Sequence, residues 1–219
     1  MHSSAAATDS TPDWAFVEPA TSPPLARPAP TAVPIHPLIV GRWSPRAFER
    51  DRLVDRAQML RLLEAATWAP SCSNGQPWRF VAGWRGEDAA AQERWQGIWD
   101  GLEDGNQRWC DASAALVVMV ASPTFPSGRP NPWFWHDVGS AGLAMALQAH
   151  AEGLASHPMG GFHADLLRAR FAIPDALQVV AVWAIGVAAP ADGLPDDLRA
   201  REIAPRARRP VAELLLHPA

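Results

Sequence analysis

Residues Leu116 to Ala121 form an unbroken apolar run that stops at Ser122-Pro123. Such a run reads as a strand buried on both faces, and a strand of that kind must be covered on both sides. Leu177 to Val187 reads as a second buried strand, and Trp78 to Trp84 alternates like a third. The covering layers are legible as helices. Leu53 to Trp68 places Leu53, Met59, Leu62, Leu63 and Ala66 on one stripe and ends before Pro70. Glu87 to Leu102 sets Trp95 and Trp99 on one face. Asp137 is placed to N-cap a long, almost wholly apolar helix through Leu154, in which Gly139, Ser140, Ala141 and Gly142 would let another backbone pack closely. Ala164 to Phe171 is a shorter helix. Helices mixed with few strands predict an α/β or α+β class.

The chain is 219 residues long, 48% apolar and 19% charged, which suits one compact domain with a real core. Residues 1–35 differ from the rest. They are rich in Pro, Ala, Ser and Thr, and predict a disordered tail or an extended arm lying on a second subunit, anchored by Trp14 and Phe16. The folded part is expected over residues 36–219. A net charge of -4 argues against nucleic-acid binding, which needs a positive footprint. All 19 basic residues are Arg, and there is neither Lys nor Tyr, which excludes a Schiff-base lysine and a tyrosine acid. Cys72 and Cys110 form no CxxC pair and read as reduced thiols. No run of about 18 apolar residues predicts a membrane span, and Met1 to Trp14 lacks the pattern of a signal peptide. A cytoplasmic protein is the expectation.

Phosphate-binding P-loops, dinucleotide-binding glycine motifs, nucleophile elbows and zinc-protease motifs are all absent. His157 and His163 lack a third ligand at metal spacing, so no metal is expected. Three segments offer donors instead. In Arg42-Trp43-Ser44-Pro45-Arg46-Ala47-Phe48, extended backbone would turn Arg42, Ser44 and Arg46 to one side, a match for phosphate. In Ala69-Pro70-Ser71-Cys72-Ser73-Asn74-Gly75-Gln76-Pro77-Trp78, the Asn74 and Gln76 amides both donate and accept, which suits the edge of a heterocycle. Arg206-Ala207-Arg208-Arg209-Pro210 repeats the paired-arginine pattern near the C-terminus.

Together with His157-Pro158-Met159-Gly160-Gly161-Phe162, these segments resemble four motifs of the flavin-dependent nitroreductase family, in order, between about His36 and Glu213. The opening segment is similar to R-x-S-x-R/K-x-F and the second to A-P-S-S-x-N-x-Q-P-W. The third is similar to P-I/M-x-G-F and the last to K/R-x-R-x-P. The resemblance implies a mostly antiparallel central sheet flanked by helices, an intertwined homodimer, and FMN at the dimer interface. By that resemblance Arg42, Ser44, Arg206 and Arg208 would hold the FMN phosphate, with Trp43 beside them. Arg46 would lie near the pyrimidine edge. Pro70, Ser71, Cys72, Ser73, Asn74 and Gln76 would come from the second subunit, and Pro158, Met159, Gly160 and Gly161 would lie under the ring. The 137–154 helix would be central to the dimer.

The implied activity is FMN-dependent, NADH- or NADPH-driven, ping-pong reduction of nitroaromatics, quinones or activated alkenes, with no essential acid or base on the protein. Dehydrogenation of a biosynthetic intermediate, or flavin binding without turnover, are the alternatives. Three positions depart from the family pattern: Gly160 stands where an acidic residue is common, Cys72 where Ser is common, and Trp43 is a large ring beside a phosphate-binding arginine. The proline-rich stretch 123–132 leads into Trp133-Phe134-Trp135, read either as a plug at the dimer interface or as a lid that selects flat acceptors.

Overall fold

A computed structural model describes residues 25–217. In chain order the elements are α1 (Pro37–Gly41), α2 (Arg56–Thr67), β1 (Trp78–Trp84), α3 (Ala89–Asp100), α4 (Asp104–Cys110), β2 (Ala115–Ala121), α5 (Phe134–Ala151), β3 (Ala155–Met159), α6 (Ala164–Phe171), β4 (Gln178–Gly186), α7 (Asp196–Ile203) and α8 (Val211–Leu214). The four strands make one antiparallel sheet in the order β1-β2-β4-β3. The fold is α+β.

The sheet is covered on both faces, as the β2 sequence demands. Every β2 residue is buried. Its alternate side chains go to two different cores. Leu116, Val118 and Val120 pack with Trp95, Ile98, Trp109 and Leu167 from α3, α4 and α6, and with Leu102 between α3 and α4. Ala115, Val117, Met119 and Ala121 pack with Met59, Leu62, Val138, Ala141 and Met145 from α2 and α5. Burial of each large core side chain contributes about 1.5–3 kcal/mol. Arg61 of α2 ties the two helices on the second face together by forking onto Glu152, at 2.9 and 2.8 Å.

Several expectations need correction. Leu53 lies outside α2 and is exposed, because Asp55 caps the helix through a reciprocal box with Gln58. Asp137 does not cap α5; Trp133 holds that position, and Asp137 is buried within the first turn. The helix stops at Ala151 rather than Leu154. The 87–102 helix ends at Asp100, and a second helix, α4, follows it. β4 is only partly buried along its first half. β3 was not foreseen, since Pro158 interrupts its sequence. On an edge strand a proline is tolerated, because only one side of the backbone is paired. Trp14 and Phe16 lie outside the described residues.

The glycine pattern of α5 has one clear function. A Cβ on Gly142 would stand 2.6 Å from Trp183 Cζ2 and 3.3 Å from Met119 Sδ, so the bare backbone lets α5 lie flat on β2 and β4. Gly139 has open space around it. Gly142→Ala is expected to lower stability by about 1–3 kcal/mol through overpacking, read as a lower thermal midpoint, whereas Gly139→Ala should not lower it. Equal effects of the two would contradict this packing.

Candidate functional site

The Arg42–Phe48 segment leaves α1 in extended conformation at Arg42, bends at Arg46, and is held from three sides. Ala47 and Glu49 exchange backbone hydrogen bonds with the chain just beyond β4: Ala189 N donates to Ala47 O at 3.0 Å and Glu49 N to Val187 O at 2.9 Å. On the second side Glu202, from the last turn of α7, accepts from the Arg46 and Ala47 amides at 2.7 and 3.2 Å, with the Arg46 guanidinium at 3.7 Å. Glu202 is only 4% exposed. Sequence reasoning missed it, since its partners are backbone amides of a distant segment. On the third side His157 bonds Pro45 O through Nδ1 at 2.8 Å, its ring lying 4.6 Å from that of Trp109. His157 directly precedes Pro158–Gly161, so it joins the arginine segment to that loop.

Burial pushes the His157 imidazole down to about 4, helped by the charges of Arg46 and Arg42 and opposed by the Pro45 and Ser44 carbonyls. The ring is therefore neutral at pH 7, with its proton on Nδ1 facing Pro45 O. An unfolded imidazole titrates near 6.5, so above that pH neither state is charged and nothing is lost. As pH falls from 6.5 towards 4, the unfolded chain takes up a proton that the fold refuses, and stability drops by roughly 3 kcal/mol at most. His157→Gln should flatten that part of the curve in denaturation titrations. An unchanged slope between pH 6.5 and 5.5 would contradict the assignment.

Around the extended segment lies a cavity of about 420 Å³ whose wall includes Arg27, Arg42, Ser44, Arg46, Arg206 and Arg208. Its one carboxylate among the described residues, Glu202, is already engaged by Arg46 and two amides. Arg42 donates to Ser44 Oγ at 3.3 Å. Burial and the neighbouring Arg208 charge push the Arg42 guanidinium below its ordinary value. Burial, then Arg42, Arg208 and Arg27, do the same to Arg206. His150 of α5, against which Gly41 presses, is likewise lowered by burial, Arg42 and Arg206. The indole N–H of Trp43, in the same wall, is buried without an acceptor among the described residues. A hydroxyl and crowded guanidinium groups short of a counter-charge form a donor set for a phosphate dianion.

The arginines divide the work. Arg206 spends its guanidinium on main-chain oxygens: Val40 O at 3.0 Å, Arg42 O at 2.9 Å and Arg27 O. It braces the segment that carries Arg42. Arg208 is exposed, and its one hydrogen bond among the described residues is to the adjacent Ala207 carbonyl.

Within one chain, the Pro70–Gln76 loop does not line this cavity. It folds as a 3-10 turn, Cys72–Asn74, with left-handed φ at Ser73, Asn74 and Gln76. Besides its backbone bonds, side chains hold it in that shape. Cys72 N donates to the buried Asp137 carboxylate at 3.0 Å, Gln76 N to Ser71 Oγ at 3.1 Å, and Gln76 Nε2 to Asn74 Oδ1 at 3.0 Å. Asp137 thus anchors this loop rather than its own helix. Phe125 packs beside Gly75, bringing the 123–132 loop against the turn. Trp133 and Trp135 are 57% and 52% exposed, while Phe134 packs on the α2–α5 core. Among the described residues no group of three or more His, Cys, Asp or Glu could hold a metal ion, and no helix is long and apolar enough to cross a membrane.

The nitroreductase family model matches residues 39–187, more than half of the chain. The chain belongs to the nitroreductase family. Two solved structures and one curated protein illustrate the likeness. A crystal structure described as an oxidoreductase containing FMN is 35% identical, with a TM-score of 0.78, over 86% of this chain and 93% of that one. A protein of Archaeoglobus fulgidus, named provisionally as an NADH dehydrogenase/NAD(P)H nitroreductase, is 29% identical over 68% of this chain and 82% of its own. An Exiguobacterium sibiricum protein in complex with FMN shares the fold at 19% identity and a TM-score of 0.67, over 85% of this chain and 98% of that one. The arginine segment and the Pro158–Gly161 loop both fall within the family match, whereas Arg206 and Arg208 lie beyond it.

Proposed function

We propose that this nitroreductase-family oxidoreductase is an FMN-dependent enzyme that uses NADH or NADPH to reduce flat acceptors such as nitroaromatics, quinones or activated alkenes. The observation that carries the proposal is the cavity in which, among the described residues, crowded guanidinium groups outnumber carboxylates, which suits the phosphate of FMN. The 35% identical oxidoreductase that contains FMN supports it. FMN, when bound, supplies the two-electron chemistry that the side chains lack. The chain's own residues bind and orient. Arg42, Ser44 and Arg208 hold the phosphate, and Arg206 and Glu202 fix the backbone that presents them. Arg46, steadied by Glu202, contributes positive charge where the ring gains electrons. His157 holds the Pro158–Gly161 loop against the same segment, so that Gly160, Gly161 and the main chain of Met159, whose side chain is buried in the core, can line the ring.

The Pro70–Gln76 loop serves the site of a second copy, in a homodimer with two shared sites. Its absence from this chain's own cavity and its rigid, pre-shaped turn fit that use. The Trp133-Phe134-Trp135 segment, reaching the same region through Phe125 and Gly75, then forms a lid over the acceptor. Trp133→Ala with Trp135→Ala is expected to shift the ratio of kcat/KM between a nitroaromatic and a small quinone about tenfold, since each lost ring contact is worth roughly 0.5–1.5 kcal/mol. An unchanged acceptor profile would reject the lid.

Anaerobic mixing of the FMN-loaded protein with NADH and with NADPH, followed by an acceptor screen, tests the activity. Bleaching of the flavin absorbance by either nucleotide and its return on adding acceptor are expected. Flavin that neither nucleotide bleaches would contradict the reading.

A further inference from the structure

The sequence of residues 25–30, Leu-Ala-Arg-Pro-Ala-Pro, has the composition of a passive linker, yet it is bound into the arginine cavity. Ala29 N donates to Val40 O at 2.9 Å, which lays the arm along α1. Arg27 makes the other contacts. Its guanidinium donates to Glu202 O, in the last turn of α7, and, at 2.5 Å, to Ala204 O, where the strap that leads to Arg206 and Arg208 begins. Its own carbonyl accepts from Arg206. Its guanidinium also lies over the Trp43 ring, 4.9 Å from the centroid. Main chain and side chain of one arm residue therefore grip the strap from both ends, and the strap in turn grips Arg42.

This arrangement has an electrostatic cost. Arg27 shares the cavity wall with Arg42, Arg206 and Arg208, and its positive charge is among those that work against the Arg206 guanidinium. A dianion in the cavity reverses the sign, turning repulsion into attraction. Arm closure and phosphate binding then stabilise each other by equal amounts.

We propose that Arg27 is a positioning residue of the phosphate site, and that the arm around it is a latch that closes on a phosphate-bearing ligand. The inference rests on the FMN reading above and goes beyond it, because it gives the N-terminal arm a binding role within its own subunit. The latch acts on the phosphate alone, so its effect is absent for riboflavin, which shares the ring and the ribityl chain but lacks the phosphate.

Dissociation constants of apo-protein for FMN and for riboflavin, measured by flavin fluorescence, test it in wild type, Arg27→Ala and Arg27→Lys. Wild type should bind FMN much more tightly than riboflavin. Arg27→Ala should weaken FMN at least tenfold and leave riboflavin within twofold. Arg27→Lys, which keeps the charge and loses the forked bond to two carbonyls, should fall between. The thermal midpoint of apo Arg27→Ala reports folding independently of ligand. In wild type, exchange of the Ala29 amide should slow on adding FMN and not on adding riboflavin. An FMN constant within twofold of wild type, equal losses for the two flavins, or Ala29 exchange that does not respond to FMN would overturn the latch. If wild type does not distinguish FMN from riboflavin, the phosphate cavity itself is misassigned and the latch falls with it.

Discussion

Arg42→Ala combined with Arg208→Ala is expected to give a colourless protein. Both groups face a cavity whose single carboxylate among the described residues is already occupied, so their charge is available to a ligand. A hydrogen bond to a charged group is worth about 1.5–3 kcal/mol, and loss of two weakens FMN by a factor of roughly 10²–10⁴. Protein purified without added flavin should then show no absorbance near 450 nm. The fold should survive, since neither side chain contributes to the two cores. Arg206→Ala differs in kind: it removes donors to three carbonyls and should reduce thermal stability as well as flavin content. Full flavin occupancy in the Arg42/Arg208 double variant would contradict the phosphate assignment.

Glu202→Ala is expected to be the most damaging single change to a charged residue near the cavity. The carboxylate is buried, accepts from two backbone amides and faces Arg46. Its removal strands both amides and leaves the Arg46 charge without a partner, at about 3–5 kcal/mol. Glu202→Gln keeps an acceptor oxygen and loses the charge, so a smaller loss, about 1–2 kcal/mol, is expected. Chemical denaturation at pH 7 measures both. A loss under 1 kcal/mol for Glu202→Ala would show that the Arg42–Phe48 segment is held in place without Glu202, by its pairing beyond β4 and its bonds to His157 and Arg206.

Legibility in the sequence followed the physics of each segment. The β1 limits agree with the alternation of Trp78 to Trp84, and the apolar run at Leu116 extends back only to Ala115. Those patterns are local, and burial on one or two faces writes them directly. β3 was hidden because His157-Pro158 breaks the apolar pattern, and only its edge position makes the proline acceptable. α4 was hidden because Asp104–Cys110 buries little besides Trp109 and Cys110. Asp137 shows how a correct signal can carry the wrong reason: an acid near a helix start suggests a cap, but tertiary contact with Cys72 N uses it instead. Alternation of Arg42, Ser44 and Arg46 was visible, whereas the residues that hold that segment were not. Glu202 and Arg27 act on main-chain groups far away in sequence, and such contacts leave no periodic trace.

The most direct test of the phosphate cavity is a crystal structure of the protein grown with FMN. The expected electron density places the phosphate within hydrogen-bond distance of Arg42, Ser44 and Arg208, with Asn74 of a second copy beside the ring. FMN bound elsewhere, or a phosphate turned away from the arginines into solvent, would contradict it.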